Sequence, residues 1–234
     1  MKDQRLFWNP FRMISPKLNS EVGGIDELHH ADASTGHSPE EDILIMLAKL
    51  IQVTKILRIA FQTESEDKIK ECEELIGQVH QLEKFATTNM VGSSSAVGHT
   101  FFRLVVRFPS RIERIGTMFD TILNSLRIKI KDGIPFSDKA QAELDGMFTV
   151  VSDLLINLRD CIVVTNRVLL EHITSRCAKL SQIVEDGRFA HWDRLEAGYC
   201  SPQASSIYLC ILDSMKSINQ YVSNMKDSLT EISE

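Results

Sequence analysis

The sequence predicts an all-α fold, a six-helix bundle made of two three-helix repeats. Three observations lead there. From about residue 40 onward, apolar residues recur at steps of three and four. Strand signals are scarce, and the β-branched run Ile162-Val163-Val164 sits inside helical spacing. Two of the helical faces superpose on two others after a shift of 103 or 104 residues.

The first element starts near Ser38-Pro39-Glu40. Ser38 can cap, Pro39 suits the first turn, and Glu40, Glu41 and Asp42 favour the positive end of a helix dipole. Ile43, Met46, Leu47, Leu50, Ile51, Leu57 and Ala60 then define one face of a helix ending near Gln62. A second helix over about 66 to 88 shows Ile69, Cys72, Leu75, Ile76, Val79, Leu82 and Ala86 on its apolar face. The Gly92 to Ser95 segment reads as a loop.

The third helix carries Phe101, Leu104, Phe108, Ile112, Ile115, Phe119, Ile122 and Leu126, with a kink expected at Pro109. Lys131 to Phe136, with Gly133 and Pro135, breaks the chain. Met147, Val150, Val151, Leu154 and Leu155 echo the first helix, and Leu169, Ile173, Cys177, Leu180 and Val184 form a fifth face. The last helix repeats the spacing of the third through Ala204, Ile207, Ile211, Met215, Ile218, Val222, Met225 and Leu229. A helix triplet with one stripe per helix cannot hide those stripes alone, so the two triplets are expected to pack together. Residues 1–39 read as an irregular arm and 40–234 as the bundle, with repeats at about 40–130 and 137–232.

Composition sets limits on function. Of 234 residues, 43% are apolar and 25% charged, ordinary values for a globular chain. With 26 basic and 32 acidic residues the net charge is −6, which argues against non-specific nucleic-acid binding. No apolar stretch is long enough to insert in a membrane, and no secretory signal is visible. Five cysteines, none in CxxC spacing, read as reduced thiols, mostly small core hydrophobes. The arm holds a basic aromatic cluster, Leu6, Phe7, Trp8 and Phe11 with Arg5 and Arg12. Read as a mobile tail docking on the body, this cluster is too short for a strong interfacial helix.

Catalytic patterns are lacking. The segment Gly92 to Gly98 is neither a P-loop nor GxSxG. His29, His30 and His37 lack rigid metal-site spacing, and His191, Trp192 and Asp193 read as packing and capping residues. Arg103, Arg107, Arg111 and Arg114 recur along the third helix. That face can meet an acidic partner or an anion, or be a solvated face paired with local acids. Within it, Arg111-Ile112-Glu113-Arg114-Ile115-Gly116 is the most informative segment, because Ile112 and Ile115 belong to the buried stripe and Gly116 would let another backbone approach closely. Acids at i and i+4 on two such helices would build an oxygen-ligand cluster for iron, manganese or zinc.

This segment resembles the ERIGD signature of the PhoU family, cytoplasmic regulators of phosphate uptake and phosphate signalling. The resemblance covers about residues 40 to 232 and implies two three-helix repeats with one signature on the last helix of each. It also implies a non-enzymatic regulator, cytoplasmic and homodimeric, acting on a membrane phosphate transporter or a histidine kinase. A stand-alone cytoplasmic module of a sodium/phosphate cotransporter system is the alternative within that resemblance. Outside it stand a helical adaptor and a metal-binding bundle unrelated to phosphate.

The departures are specific. The family's signature Glu and the Asp four residues later can ligate metal. Here Glu113 is kept, but the Asp position is Thr117, and in the second repeat Lys216 and Gln220 stand at the two ligand positions. A lysine repels a cation, so the second cluster is expected to be lost. The first retains Glu113 and at most Asp120, two turns away and out of reach of one shared ion. No resident metal or other cofactor is expected.

Overall fold

Short polar side chains start most of the helices, because the first backbone N–H groups of a helix have no partner within it. The computed structural model describes residues 39–92, 106–164 and 166–233. Among these, six helices form: α1 (Pro39–Thr63), α2 (Glu66–Gly92), α3 (Phe108–Lys131), α4 (Asp138–Val163), α5 (Arg167–Glu196) and α6 (Pro202–Ser233). Ser137 accepts from the Ala140 amide at the start of α4, and Asn166 accepts from Val168 at the start of α5. Ser65 and Ser201 serve α2 and α6 in the same way. Ser38, the expected cap of α1, and the arm's aromatic and histidine clusters lie outside the described residues.

The third helix departs from the sequence reading. It begins at Phe108, with Pro109 in its first turn and no side-chain cap on Arg107. Proline is at home there: its missing N–H would be unpaired anyway, and its φ is already helical. Among the described residues no helical turn precedes Pro109, so the expected mid-helix kink is replaced by a helix start. Phe101 and Leu104 lie outside the described residues.

Each triplet is internally packed, α1, α2 and α3 against one another and α4, α5 and α6 likewise. The triplets meet through α1 against α4 and α3 against α6, which are counterparts under the repeat. The inner helices are therefore α1, α3, α4 and α6, with α2 and α5 outside. Burial follows this order. On α2 a narrow stripe is covered, Ile69, Cys72, Ile76, Val79, Leu82 and Ala86. On α1 the covered sector is far wider and takes in Ile45, Ala48, Val53 and Phe61 as well as the expected face. All eight residues of the α6 stripe are buried.

Polar clamps fix the two seams. Arg58 of α1 pairs with Asp145 of α4 through both carboxylate oxygens, and Gln62 donates to the same carboxylate at 2.8 Å. Arg111 of α3 donates to the Asn224 carbonyl at 2.9 Å and to Ser228 at 3.1 Å on α6. At the α1–α2 turn, Glu64 adopts φ 52° and its carboxylate pairs with the buried Lys129. Lys129 also lies over the rings of Phe136 and Phe61, at 5.5 and 6.0 Å.

Gly116 turns out not to be required by a close approach. A Cβ there would sit 3.6 Å from Ile76 Cγ2 and 3.8 Å from His80 Cε1, ordinary contact distances. Alanine is the better helix former, so Gly116→Ala is expected to raise unfolding free energy by up to about 1 kcal/mol. A urea titration measures this, and a loss of stability would contradict it.

Candidate functional site

The signature segment lies on α3 facing α2, and the residue that answers it is His80. Its Nδ1 lies 3.1 Å from Glu113 Oε1, and its Nε2 lies 3.1 Å from Asp120 Oδ2. Two carboxylates two turns apart are thus joined by one imidazole from the neighbouring helix. The neutral ring has one N–H and can donate to only one carboxylate; the imidazolium serves both. Thr117, at the expected Asp position, donates to Glu113 Oε1 at 3.2 Å. All three members of the bridge are about one-third exposed, so each contact is worth at most about 1 kcal/mol.

This donor set does not fit the metal cluster that the resemblance implies. Glu113 and Asp120 sit at opposite edges of one ring. An ion bound to either nitrogen at about 2 Å would reach one carboxylate and not the other. Among the described residues no group of three His, Cys, Asp or Glu side chains is placed to hold a metal ion.

The second repeat shows a comparable seam with the partners exchanged between the helices. His80 follows Val79 on α2, and Glu185 follows the equivalent Val184 on α5. Lys216 stands where α3 has Glu113, and its Nζ lies 3.7 Å from Glu185 Oε1. Arg188 reinforces the pair, 2.8 Å from Asp213 and 3.9 Å from Glu185. A nitrogen side chain therefore faces a carboxylate at both places, from the outer helix in one repeat and from the inner helix in the other.

The arginine row divides. Arg107 and Arg114 are exposed, whereas Arg111 is half-buried and committed to α6. Burial, and then the neighbouring Arg107, lower the Arg111 pKa from its ordinary value.

A second polar cluster, which the sequence reading did not assemble, lies between α4, α5 and α6. Arg194 is 8% exposed and makes two 2.9 Å bonds to Glu143. Tyr208 donates to the same carboxylate at 2.5 Å, and its ring stacks on His191 at 5.1 Å. Burial opposes the Arg194 charge most strongly of any one influence, but Glu143 and Tyr208 together outweigh it and the pKa rises. Burial, reinforced by Glu143, also pushes the Tyr208 hydroxyl up. Removing one member of such a buried pair strands the other and typically costs about 3 kcal/mol.

Gly187 makes room for this cluster: a Cβ there would lie 2.9 Å from Met147 Cε and 3.0 Å from Tyr208 Oη. His191 Nε2 and Arg194 Nε have no protein partner. Both residues line a cavity of about 20 Å³, room for one water. His191 therefore packs, as its sequence context suggested, while Trp192 is exposed.

The thiols are free. Burial pushes Cys72 up to about 12 and Cys177 up to about 11, so neither is a ready nucleophile near neutral pH. A groove of about 590 Å³ between α4 and α5 is lined by Lys139, Arg176 and Lys179 but equally by Glu143, Asp153 and Asp186, so it selects neither sign of ligand.

These features define an all-α bundle of two packed helix triplets with ion-paired seams. Among solved structures the chain is similar to PhoU from Pseudomonas aeruginosa, with a TM-score of 0.72 and 13% identity over 92% of this chain and 98% of that one. At that identity the likeness is one of fold, and the chain has a PhoU-like fold. No protein-family model and no curated protein matches the sequence. No helix of the described residues is long and apolar enough to cross a membrane.

Burial, and then the Arg194 charge, hold the His191 pKa below 6.5. The unfolded chain therefore takes up this proton first, and folding stability is lost as pH falls below about 6.5. Urea midpoints measured at pH 7 and pH 5 are expected to fall on acidification, at most by about 1.4 kcal/mol per pH unit for this group. His191→Phe keeps a ring against Tyr208 and is expected to show a smaller fall. An equal fall would remove His191 as the cause.

Proposed function

We propose that the chain is a non-enzymatic, PhoU-like regulator of phosphate transport or phosphate signalling that works by docking on a membrane transporter or a sensor kinase. The observation that carries this reading is the fold likeness over nearly the whole chain, joined to the signature remnant Glu113 to Gly116 on α3. The polar chemistry supports surface action. Glu113, Asp120 and His80 are spent on one another, and Glu143, Arg194 and Tyr208 are spent on holding three helices together.

A pull-down of the tagged full chain from cells grown in high and in low phosphate tests the reading. Recovery of a phosphate transporter or its associated kinase, in amounts that change with phosphate, is the expected result. Recovery of neither under both conditions would overturn it.

The same reading includes metal independence, because Thr117, Lys216 and Gln220 stand at ligand positions and His80 occupies Glu113. Mass-spectrometric metal analysis of protein purified without chelator is expected to find well under one equivalent of iron, manganese or zinc. The thermal midpoint is expected to stay unchanged on adding EDTA. One or more tightly held equivalents per chain would contradict this.

A further inference from the structure

The outer face of α5 is unusual for a helix that covers a core. Phe189 and Trp192 are 68% and 59% exposed. Helical spacing puts Phe189 on the side opposite the buried Gly187 and His191, so its exposure is not an edge effect of the core stripe. Trp192 is its neighbour one turn on.

The α5 positions around the two rings are Glu185, Asp186, Asp193 and Glu196, with Arg188 as the one basic member on that stretch of helix; Lys139, Arg176 and Lys179 line the groove that Asp186 borders. Arg188 is already paired with Asp213 and Glu185. Among the described residues no ion pair reaches Asp186, Asp193 or Glu196.

We infer that this aromatic, acid-rimmed face of α5 docks a basic amphipathic segment of a protein partner. The two rings supply the apolar anchor, and Trp192 offers the strongest cation–π face for an incoming Lys or Arg. The carboxylates fix which partner is accepted. A second copy of the chain would bring acid against acid. An anionic lipid surface would be repelled for the same reason. Basic segments are what membrane proteins present beside their cytoplasmic helix ends. The inference thus deepens the proposed function by naming the surface and the kind of segment it takes.

The test uses the full chain with Trp8→Phe, which leaves Trp192 as the one tryptophan. The probe is a synthetic helical peptide of about 18 residues made of Leu, Phe and Lys, compared with the same peptide carrying Glu for Lys. Saturable binding of the Lys peptide is expected at about 0.15 M salt, read as a blue shift of Trp192 emission, with a Kd of about 1–50 μM. The Glu peptide is expected not to bind. Phe189→Ser, and separately Asp186→Lys, Asp193→Lys and Glu196→Lys together, are each expected to weaken binding about tenfold or more. Reversing Glu66, Asp67 and Glu74 on α2 serves as the control for bulk charge and is expected to change affinity less than about twofold. Circular dichroism confirms that the variants fold, since all these side chains point outward.

Several results would overturn the inference: unchanged affinity in Phe189→Ser, equal losses from the α2 reversal, or binding of the Glu peptide. So would self-association abolished by Phe189→Ser, or binding to phosphatidylserine vesicles in preference to the peptide. The experiment contains neither phosphate nor transporter, so its failure would leave the regulatory reading standing with another surface as its contact.

Discussion

The apolar sector of α1 is too wide for any single neighbour to cover, and the rest of the architecture answers that constraint. Ile43, Ile45, Met46, Leu47, Ala48 and Leu50 are all essentially inaccessible. Covering them takes α2 and α3 from one triplet and α4 from the other. The second triplet meets the first through α4 and α6, so one interface closes both halves. The outer helices α2 and α5 need only narrow stripes, which leaves their far sides free of packing duties. The exposed Phe189 and Trp192 are possible only because α5 holds that outer position.

Polar chemistry in the molecule follows the seams rather than a cleft. Arg58 with Asp145 and Arg111 with the α6 backbone tie the triplets together. His80 and Lys216 tie α2 to α3 and α5 to α6 within them. The two signature positions are where an oxygen-ligand cluster would need several unpaired carboxylates. His80 and Lys216 occupy those seams instead, and the carboxylates that remain are already engaged.

How much of this was readable beforehand depended on the range of the interaction involved. The α6 stripe was read residue by residue because helical periodicity is local. The width of the α1 sector was not, because it depends on how many neighbours arrive. Pro109 was placed inside a helix because the apolar spacing continues through it; its position in the first turn reflects steric preferences that spacing ignores. Glu113 and Asp120 stood out as acids on the signature helix, but His80 did not. It lies on another helix beside an unremarkable stripe, and only its position next to Val79 at the edge of that stripe hinted at a seam contact. Glu143, Arg194 and Tyr208 carry no mutual spacing at all, because three different helices deliver them.

The exchange of partners between the seams bears on how a chain with two similar halves assembles correctly. Its stripes share one spacing, so periodicity alone does not keep α5 from α3, or α2 from α6. The first mistake would set Glu185 near Glu113 and part it from Lys216. The second would part His80 from both of its carboxylates, Glu113 and Asp120, and Lys216 from Glu185. Each outer helix thus finds its polar partners on the inner helix of its own half, and a duplicated chain carries in those contacts a means of telling one half from the other.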